Sequence, residues 1–229
     1  MTGTSRSFPP VYVTVDVVLL TLRADELQVL MVRRGSNPWR GSLALPGGFV
    51  RQTEDLPDAA RRELRDETGL ALEPAHLEQL GSFGRPDRDP RARTVSVAYL
   101  GVLPALPQPV AGTDAAEADW RPVDAMLDEP LPFDHDLILR AGVERARSKL
   151  EYSTLATAFV GPTFTIADLR RVYETTWGSA RDPGNVHRTV LGSTGFVRRV
   201  DGERSGSRGR PAALYERGGA TLLHPPILR

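Results

Sequence analysis

Hydrophobic positions in the first 150 residues follow two different periods. Runs rich in β-branched and apolar residues predict strands, and apolar residues spaced three and four apart predict helices. The predicted strands are Val11–Leu22, Leu27–Val32 and Thr94–Leu103, and the predicted helices cover residues 55–68 and 136–150. A polar turn at residues 23–26 predicts a hairpin between the first two strands. Strands and helices alternate too sparsely for a doubly wound sheet, so this part is predicted to be mixed α/β.

The predicted helix over residues 55–68 has recognisable ends. Asp55 is a good N-cap residue, and Pro57 falls in the first turn, where its missing N–H costs nothing. Gly69 suits the left-handed position that ends a helix. The apolar residues of this helix that are predicted to face the core are Leu56, Ala59, Ala60 and Leu64.

The pattern changes near residue 150 to short helices followed by a hairpin. The predicted helices are Ser153–Val160, a second from a Thr165 cap to about Trp177, and a third opened by Asp182-Pro183 and running to about Ser193. The predicted strands are Phe196–Val200 and Ala213–Glu216. Helix, helix, turn, helix and hairpin is the order of a winged helix-turn-helix. We therefore expect an α+β protein of two domains, residues 1–150 and 151–229.

Composition agrees with a globular protein and argues against a membrane protein. Of the 229 residues, 40% are hydrophobic and 25% charged. No apolar run reaches the roughly 18 residues that a spanning helix needs, and the first residues do not resemble a signal peptide. The chain has no cysteine, which suits a reducing compartment, so a cytoplasmic location is expected. The net charge is +0, but acids prevail in the front part and arginines in the back part, which indicates two modules with different partners.

Residues 48–70 carry the densest chemical signal. Gly48 is followed at fixed spacing by Glu54 and then by a run that contains Arg62, Glu63, Asp66 and Glu67. Glu63 and Glu67 are four apart, so a helix places both carboxylates on one face, where they repel unless something neutralises them. A divalent cation such as Mg²⁺ is the usual remedy, and Arg62 is placed to orient Glu54. The alternative is a solvated, charged helix face.

This run resembles the signature of the Nudix hydrolases, which differs only at Asp66, where the family has glutamate. The resemblance implies an α/β/α sandwich with a mixed sheet, Glu63 and Glu67 as the main ligands of Mg²⁺ (or Mn²⁺), and Asp66 as an accessory ligand. It also implies attack on a pyrophosphate by a metal-activated water. Family members often take a general base from an acidic loop outside the signature, and Glu117 has the right place in the chain. Its alternative role is that of an ordinary loop acid.

A loop at residues 83–93 is the predicted ligand-binding segment, together with Gly48 and Arg62. Guanidinium groups match phosphate geometry, and the candidates here are Phe83, Arg88, Arg91 and Arg93. Asp87 and Asp89 allow another interpretation, in which local ion pairs hold a rigid loop. Trp39 is a candidate for stacking on a nucleobase, or else a partly buried structural residue.

The third helix of the back part is the predicted DNA-reading element. Val186, Val190 and Leu191 mark its inward side, and the candidates for contact with DNA are Arg181, Asn185, His187, Arg188 and Thr189. Asparagine suits adenine, and arginine suits guanine or phosphate. His187 lies between the apolar positions, which favours a packed or flanking role.

The loop at residues 203–211 resembles the tip of a wing. Its small residues and arginines, Arg208 and Arg210 among them, suit a salt-sensitive contact with DNA. A solvated hairpin loop is the alternative.

Nearly the whole chain is similar to the NrtR family, the Nudix-related transcriptional regulators of NAD metabolism. The similarity rests on the carboxylate signature and on residues 88–91, 149–152, 164–165, 172–174 and 209–212. It implies a homodimeric repressor of NAD biosynthesis or salvage genes that binds a palindromic DNA operator and releases it when ADP-ribose binds the Nudix part. Two alternatives stay open: an Mg²⁺-dependent ADP-ribose pyrophosphatase, and a winged helix that binds protein rather than DNA.

Overall fold

The computed structural model describes residues 9–69, 75–104, 115–204 and 211–227, with the side chains of residues 115–117 left out. The front part contains seven strands: β1 (Tyr12–Arg23), β2 (Glu26–Arg34), β3 (Leu43–Ala44), β4 (Gly47–Phe49), β5 (His76–Phe83), β6 (Thr94–Val102) and β7 (Ala115–Pro122). Three helices accompany them: α1 (Leu56–Thr68), α2 (Val123–Asp128) and α3 (His135–Tyr152).

The seven strands form one mixed sheet. Its main order is β3-β2-β1-β6-β5, with β4 paired to β1 and β7 paired to β2. Strands β1 and β6 run parallel, whereas β1 and β2 form the predicted antiparallel hairpin. The turn of this hairpin holds Ala24 and Asp25 at positive φ, as the right-handed twist of two-residue hairpins requires.

Strand β1 shows why the sheet is covered on both faces. Val15, Val17 and Leu19 belong to a core cluster that includes residues of α1. Val18 and Leu20 point to the opposite face and belong to the cluster that contains α3. Because both faces of the strand are apolar, a helix layer is needed on each side. The predicted α/β/α sandwich with a mixed sheet is confirmed.

The back part is a winged helix. A 3-10 helix (Thr154–Phe159) leads to α4 (Ile166–Trp177), α5 (Pro183–Gly192) and the antiparallel pair β8 (Val197–Arg204) and β9 (Ala212–Arg217). Thr165 caps α4 in a reciprocal capping box with Asp168, and Gly178 ends it in a left-handed conformation. The predicted order of elements is confirmed.

Helix α3 joins the two parts without an intervening linker. It runs past the predicted boundary at residue 150 to Tyr152, and one continuous apolar cluster extends from the sheet through α3 into α4, α5 and β9. At Gly142 the helix lies so close to β1 that a Cβ would come 2.8 Å from Val18. The two parts therefore share a core around α3.

Three local predictions are wrong. The acidic segment around Glu117 is strand β7 rather than a loop, since residues 115–122 pair with β2. Strand β8 continues to Arg204, into the segment predicted as a loop. Leu191, predicted to face inward, is 45% exposed. The buried residues of α5 are Val186 and Val190.

No helix in the described part of the chain has the length and apolar character needed to cross a membrane.

Candidate functional site

A cavity of about 550 Å³ opens between α1, the ends of β1 and β2, and the segment before α3. The predicted residues Gly48, Glu63, Glu67, Arg88 and Arg91 all line it. In the sequence these residues belong to two separate stretches, the carboxylate signature and the 83–93 loop, and the fold brings them together at one cavity.

The carboxylates of α1 form one wall of this cavity. The Gly47 N–H donates to Glu67 at 2.9 Å. Burial raises the pKa of Glu67 to about 8, and the Glu63 and Asp16 carboxylates add to the rise. Burial also raises the pKa of Glu63, against the opposing effect of the Arg62 guanidinium. A positive charge in the cavity would therefore stabilise the ionised form of both carboxylates.

Gly47 and Gly48 are required by close approach rather than by an unusual φ. A Cβ on Gly47 would lie 2.3 Å from the Val15 carbonyl oxygen, and a Cβ on Gly48 would lie 2.3 Å from Glu63 Oε1. Both distances are far below van der Waals contact, so larger residues would displace the backbone or the carboxylate. The glycines of the signature thus make room for the acidic wall.

Arg62 holds the carboxylates in place from behind. Its Nε and Nη2 donate to the two oxygens of Glu54 at 2.8 and 2.6 Å, and its Nη1 donates to Glu63 at 2.6 Å. The hydrogen bond from Arg62 lowers the pKa of Glu54 to about 2. The pairing of Arg62 with Glu54 confirms one prediction. Arg62 is 9% exposed, does not line the cavity and donates to protein groups, so the structure does not bring it together with the other predicted ligand residues.

Arg88 lines the cavity but is held by a buried ion cluster. Its guanidinium makes hydrogen bonds of 2.6 to 3.0 Å to Asp134 and one of 3.3 Å to Asp16. All three side chains are buried. Burial opposes ionisation of Asp16, but the His135 ring and the Arg88 guanidinium outweigh it and hold its pKa below the usual value. Arg88 thereby ties the 84–93 loop to β1 and to the start of α3.

His135, the first residue of α3, has a defined tautomer. Its Nδ1 accepts a hydrogen bond from the Leu45 N–H at 3.0 Å, so the ring proton sits on Nε2, which lies 3.3 Å from Asp16 Oδ1. The ring lines the cavity beside Phe133. His135 therefore fixes the start of α3 to the sheet and to the cavity wall at once.

Another part of the cavity lining is cationic and aromatic. The guanidinium carbons of Arg34 and Arg91 lie 4.8 and 5.4 Å from the centre of the Phe133 ring, and Arg91 lies 5.2 Å from the centre of Phe49. Asp89 pairs with Arg91 at 2.8 Å, which confirms the predicted local ion pair. Such a surface suits an anion attached to a ring.

Several predicted site residues lie elsewhere. Asp66 pairs with Arg51, Arg62 and Arg65 and is absent from the cavity wall that Glu63 and Glu67 form. Phe83 packs against the core, and Arg93 donates to backbone carbonyls outside the cavity, so neither is brought together with the residues that line it. Trp39 is 41% exposed, with its ring edge against Phe133, and base stacking stays a prediction. The backbone of Glu117 pairs with that of Arg33, and its side chain lies outside the described residues.

The cavity residues that the sequence interpretation missed include Asp16, Arg34, Phe133 and His135. Asp16 had a usable signal, since it is an acid inside an otherwise apolar strand, and such a residue needs a partner. The sequence signal for Arg34 was weaker, because it was only a charged residue at the end of a buried strand. Phe133 and His135 follow a proline-containing loop, and nothing local distinguishes them.

The donor set fits a metal ion shared with a phosphate ligand. Two carboxylate groups at a cavity wall are typical of Mg²⁺, which takes its other ligands from water and phosphate oxygens. Within the described ranges, no group of three or more His, Asp or Glu side chains is arranged to hold a metal ion. The residues present therefore fit a partial site that a ligand would complete.

Helix α5 presents the second candidate surface. Asn185, His187 and Arg188 are exposed and Thr189 is half-buried. Of the two roles predicted for His187, packed or flanking, its exposure contradicts the packed one. Asp182 caps the helix by accepting the Asn185 N–H at 2.7 Å. Arg208 and Arg210 lie outside the described residues.

Arg181 precedes α5 and is held on α4. Its guanidinium lies 4.8 Å from the centre of the Trp177 ring, and its backbone N–H donates to Glu174 at 2.9 Å. The predicted phosphate contact is thus attached to the end of the preceding helix.

Comparisons with known proteins cover both parts. Residues 13–141 match the NUDIX domain, and residues 156–216 match the NrtR DNA-binding winged helix domain. The chain is 31% identical to the ADPR responsive transcriptional repressor NtrR of Acinetobacter baylyi over 212 residues, covering 91% of this chain and 82% of that protein.

Two solved structures are similar as well. NrtR of Shewanella oneidensis in complex with a 27mer DNA has a TM-score of 0.77 at 30% identity, covering 90% of this chain and 93% of that chain. The NUDIX domain of the same protein in complex with ADP ribose has a TM-score of 0.56 at 33% identity, covering 60% and 90%.

Proposed function

The chain belongs to the NrtR family, in which a Nudix domain is joined to a winged helix, and on that premise we propose that it is an ADP-ribose-responsive transcriptional repressor. The observation that carries the proposal is the shared core around α3, which joins the ligand cavity to a winged helix with an exposed α5. The function we assign is repression of NAD biosynthesis or salvage genes, in the cytoplasm and on the nucleoid.

The cavity suits ADP-ribose by its charge and volume. Arg34 and Arg91 would bind the pyrophosphate, Glu63 and Glu67 would hold a cation beside it, and Phe133 and Phe49 offer faces for a ring. A volume of about 550 Å³ falls in the range of small-molecule sites. Mg²⁺ (or Mn²⁺) would supply a positive charge between two acidic groups.

The DNA partner is a palindromic duplex read by α5. The second helix of a helix-turn-helix enters the major groove, and the exposed Asn185 and Arg188 have the chemistry to read base edges. We infer a homodimer, because a palindromic site matches a two-fold symmetric protein.

The central test measures DNA binding with and without ADP-ribose. We expect the protein to retard a duplex from the region upstream of its own or a neighbouring NAD operon, and ADP-ribose to weaken that binding by about five- to 150-fold. An unrelated duplex of equal length at the same salt is the control. Specific retardation that ADP-ribose leaves unchanged would refute the regulatory function.

The two α1 carboxylates at the cavity favour a second candidate, an ADP-ribose pyrophosphatase. Incubation of the protein with ADP-ribose and Mg²⁺ would then give AMP and ribose phosphate. Turnover that Glu67→Gln abolishes, together with no specific DNA binding, would establish hydrolysis as the main function.

Gly48→Ala should weaken metal binding while the fold survives. The new Cβ would meet the end of the flexible Glu63 side chain, so the carboxylate moves and the backbone stays. We expect Mn²⁺ affinity in the presence of ADP-ribose to fall about tenfold or more, measured by isothermal titration calorimetry. Gly161→Ala is the matched control, since a Cβ there meets nothing within 4 Å. Unchanged Mn²⁺ affinity in Gly48→Ala would exclude Glu63 as a ligand.

A further inference from the structure

We propose that α3 transmits the occupancy of the ligand cavity to the DNA-contacting surface, and that Trp177 is the joint through which it does so. This inference rests on the proposed function, because it concerns how ADP-ribose would weaken DNA binding. It assigns a positioning role to Trp177 and Arg147, two residues that touch neither the cavity nor the exposed face of α5.

Helix α3 has one end in the cavity and the other beside the winged helix. It begins at His135, which lines the cavity and follows Phe133 and the buried Asp134. Its 18 residues span about 27 Å. Contact of a ligand with Phe133, His135 or the Arg91 loop therefore acts directly on the N-terminal end of this helix.

The C-terminal half of α3 is fastened to the end of α4 by a reciprocal pair of hydrogen bonds. The Arg147 Nε donates to the Thr176 carbonyl oxygen at 3.1 Å. The Trp177 Nε1 donates to the Arg147 carbonyl oxygen at 3.2 Å. One residue of α3 is thus both donor and acceptor for the last turn of α4, so a shift of α3 is passed on to that turn.

Trp177 also holds Arg181, the predicted phosphate contact. The Arg181 guanidinium lies 4.8 Å from the centre of the indole ring, and Arg181 directly precedes Asp182, the N-cap of α5. The indole therefore touches α3 with its N–H and the start of the recognition segment with its face. A movement of Trp177 changes the position of Arg181 relative to α5.

The joint has room to move. A crevice of about 240 Å³ lies beside Arg147 and Trp177, between the end of α4 and the β1–β2 hairpin. An ion pair near this border joins Arg171 to Asp25 at 3.1 Å, with side chains that are 66% and 74% exposed. Solvent screens such a pair, so it contributes little to coupling.

Coupling requires that ADP-ribose bind two states of the protein with different affinity. The two states here differ in the position of α3 against the sheet and of Trp177 against Arg147. ADP-ribose favours the position of α3 that closes the cavity wall, and DNA favours the position of Trp177 that presents Arg181. Because both ligands bias the same helix, binding of one weakens binding of the other.

Trp177→Phe tests the joint. Phenylalanine keeps a ring for Arg181 and for the core but loses the N–H that reaches Arg147. We expect operator affinity without ADP-ribose to stay within about threefold of the original protein, and the weakening by ADP-ribose to shrink about fivefold, as loss of one hydrogen bond allows. Fluorescence anisotropy with a labelled operator duplex, with and without saturating ADP-ribose, gives both numbers.

Arg147→Met removes the second hydrogen bond by an independent change and should reduce the response in the same way. Arg171→Ala is the matched control at the same border, because it cuts the contact with the hairpin and leaves α3 untouched. It should respond to ADP-ribose as the original protein does. Calorimetry should show ADP-ribose affinities within about twofold in all three variants without DNA.

The outcomes separate the two proposals. If the original protein binds its operator and ADP-ribose but shows no response, the proposed function fails. If ADP-ribose weakens operator binding of the original protein, and weakens that of Trp177→Phe and Arg147→Met to the same extent, the α3 joint is refuted. The joint is also refuted if Arg171→Ala alone loses the response, or if the Trp177 variant loses its affinity for ADP-ribose, since the effect would then lie in the hairpin or in the cavity.

Discussion

Arg88→Ala should destabilise the protein by about 3–5 kcal/mol, because it removes the cation of a buried ion cluster and leaves two carboxylates without it. The Arg88 side chain is 3% exposed, and those of Asp16 and Asp134 are 7% and 3% exposed. Desolvating a charge costs several kcal/mol unless a partner compensates. Urea unfolding followed by circular dichroism measures the loss as a lower midpoint.

The loss should grow with pH. In the original protein His135 and Arg88 hold the pKa of Asp16 below its usual value, so this stabilisation is present above pH 4 and is lost as pH falls further. Without Arg88, one of the groups that lower the pKa of Asp16 is lost, so the pKa of Asp16 is higher in the variant and its ionisation stabilises the variant less. The difference between the two proteins should therefore grow as pH rises through the pKa of Asp16, and it should be larger at about pH 7 than at about pH 3.

Two controls separate charge from volume. Arg88→Met restores apolar volume but not the cation, so it should stay far less stable than the original protein. Arg85→Ala removes an arginine from the same loop whose pair with Asp87 is exposed, and no measurable change in midpoint is expected. A stable Arg88→Ala protein would mean that the cluster is not needed for folding.

The sequence predicted the parts of the molecule that depend on neighbouring residues. The ends of α1 and α4 follow from Asp55, Gly69, Thr165 and Gly178, which act within one turn of the helix they limit. The Glu54–Arg62 pair followed from spacing as well. These features need no knowledge of the tertiary fold.

The cavity could be predicted only in part, because its remaining residues meet through long-range contacts. Asp16, Arg88 and Asp134 belong to β1, a loop and the start of α3. The arginines of the 83–93 loop predicted phosphate binding, but the sequence could not reveal that Arg88 turns inward to two carboxylates. The same limit explains Leu191, since helical spacing does not fix how much of α5 a short domain covers.

A regulator and a hydrolase place different demands on the acidic wall. Hydrolysis requires a metal-activated water held at a fixed position, whereas a sensor requires only that the cavity bind its ligand. Glu63 and Glu67 reach the cavity but Asp66 does not. The exposed face of α5 has a role in a DNA-binding regulator, whereas hydrolysis of a ligand in the cavity does not require it. The combination favours a sensor whose ligand completes a partial metal site.

Replacement of both Asn185 and Arg188 by alanine should weaken operator binding about thirtyfold or more. Each contact with a base edge contributes about 1–3 kcal/mol of discrimination, and both side chains are exposed on α5. The folded helix should survive, because its buried residues Val186 and Val190 and its Asp182 cap remain. Fluorescence anisotropy with operator and with unrelated duplex measures the loss, which should be much larger for the operator.

Salt dependence distinguishes base contacts from phosphate contacts. Arg181→Ala should weaken binding to both duplexes alike and lower the slope of log affinity against log salt by about one. Arg188→Ala should mainly lower the preference for the operator. Arg65→Ala, on the surface of α1 and 59% exposed, removes the same charge far from α5 and should leave both quantities unchanged. If the double variant keeps its preference for the operator, another surface of the winged helix reads the DNA, and the assignment of α5 is wrong.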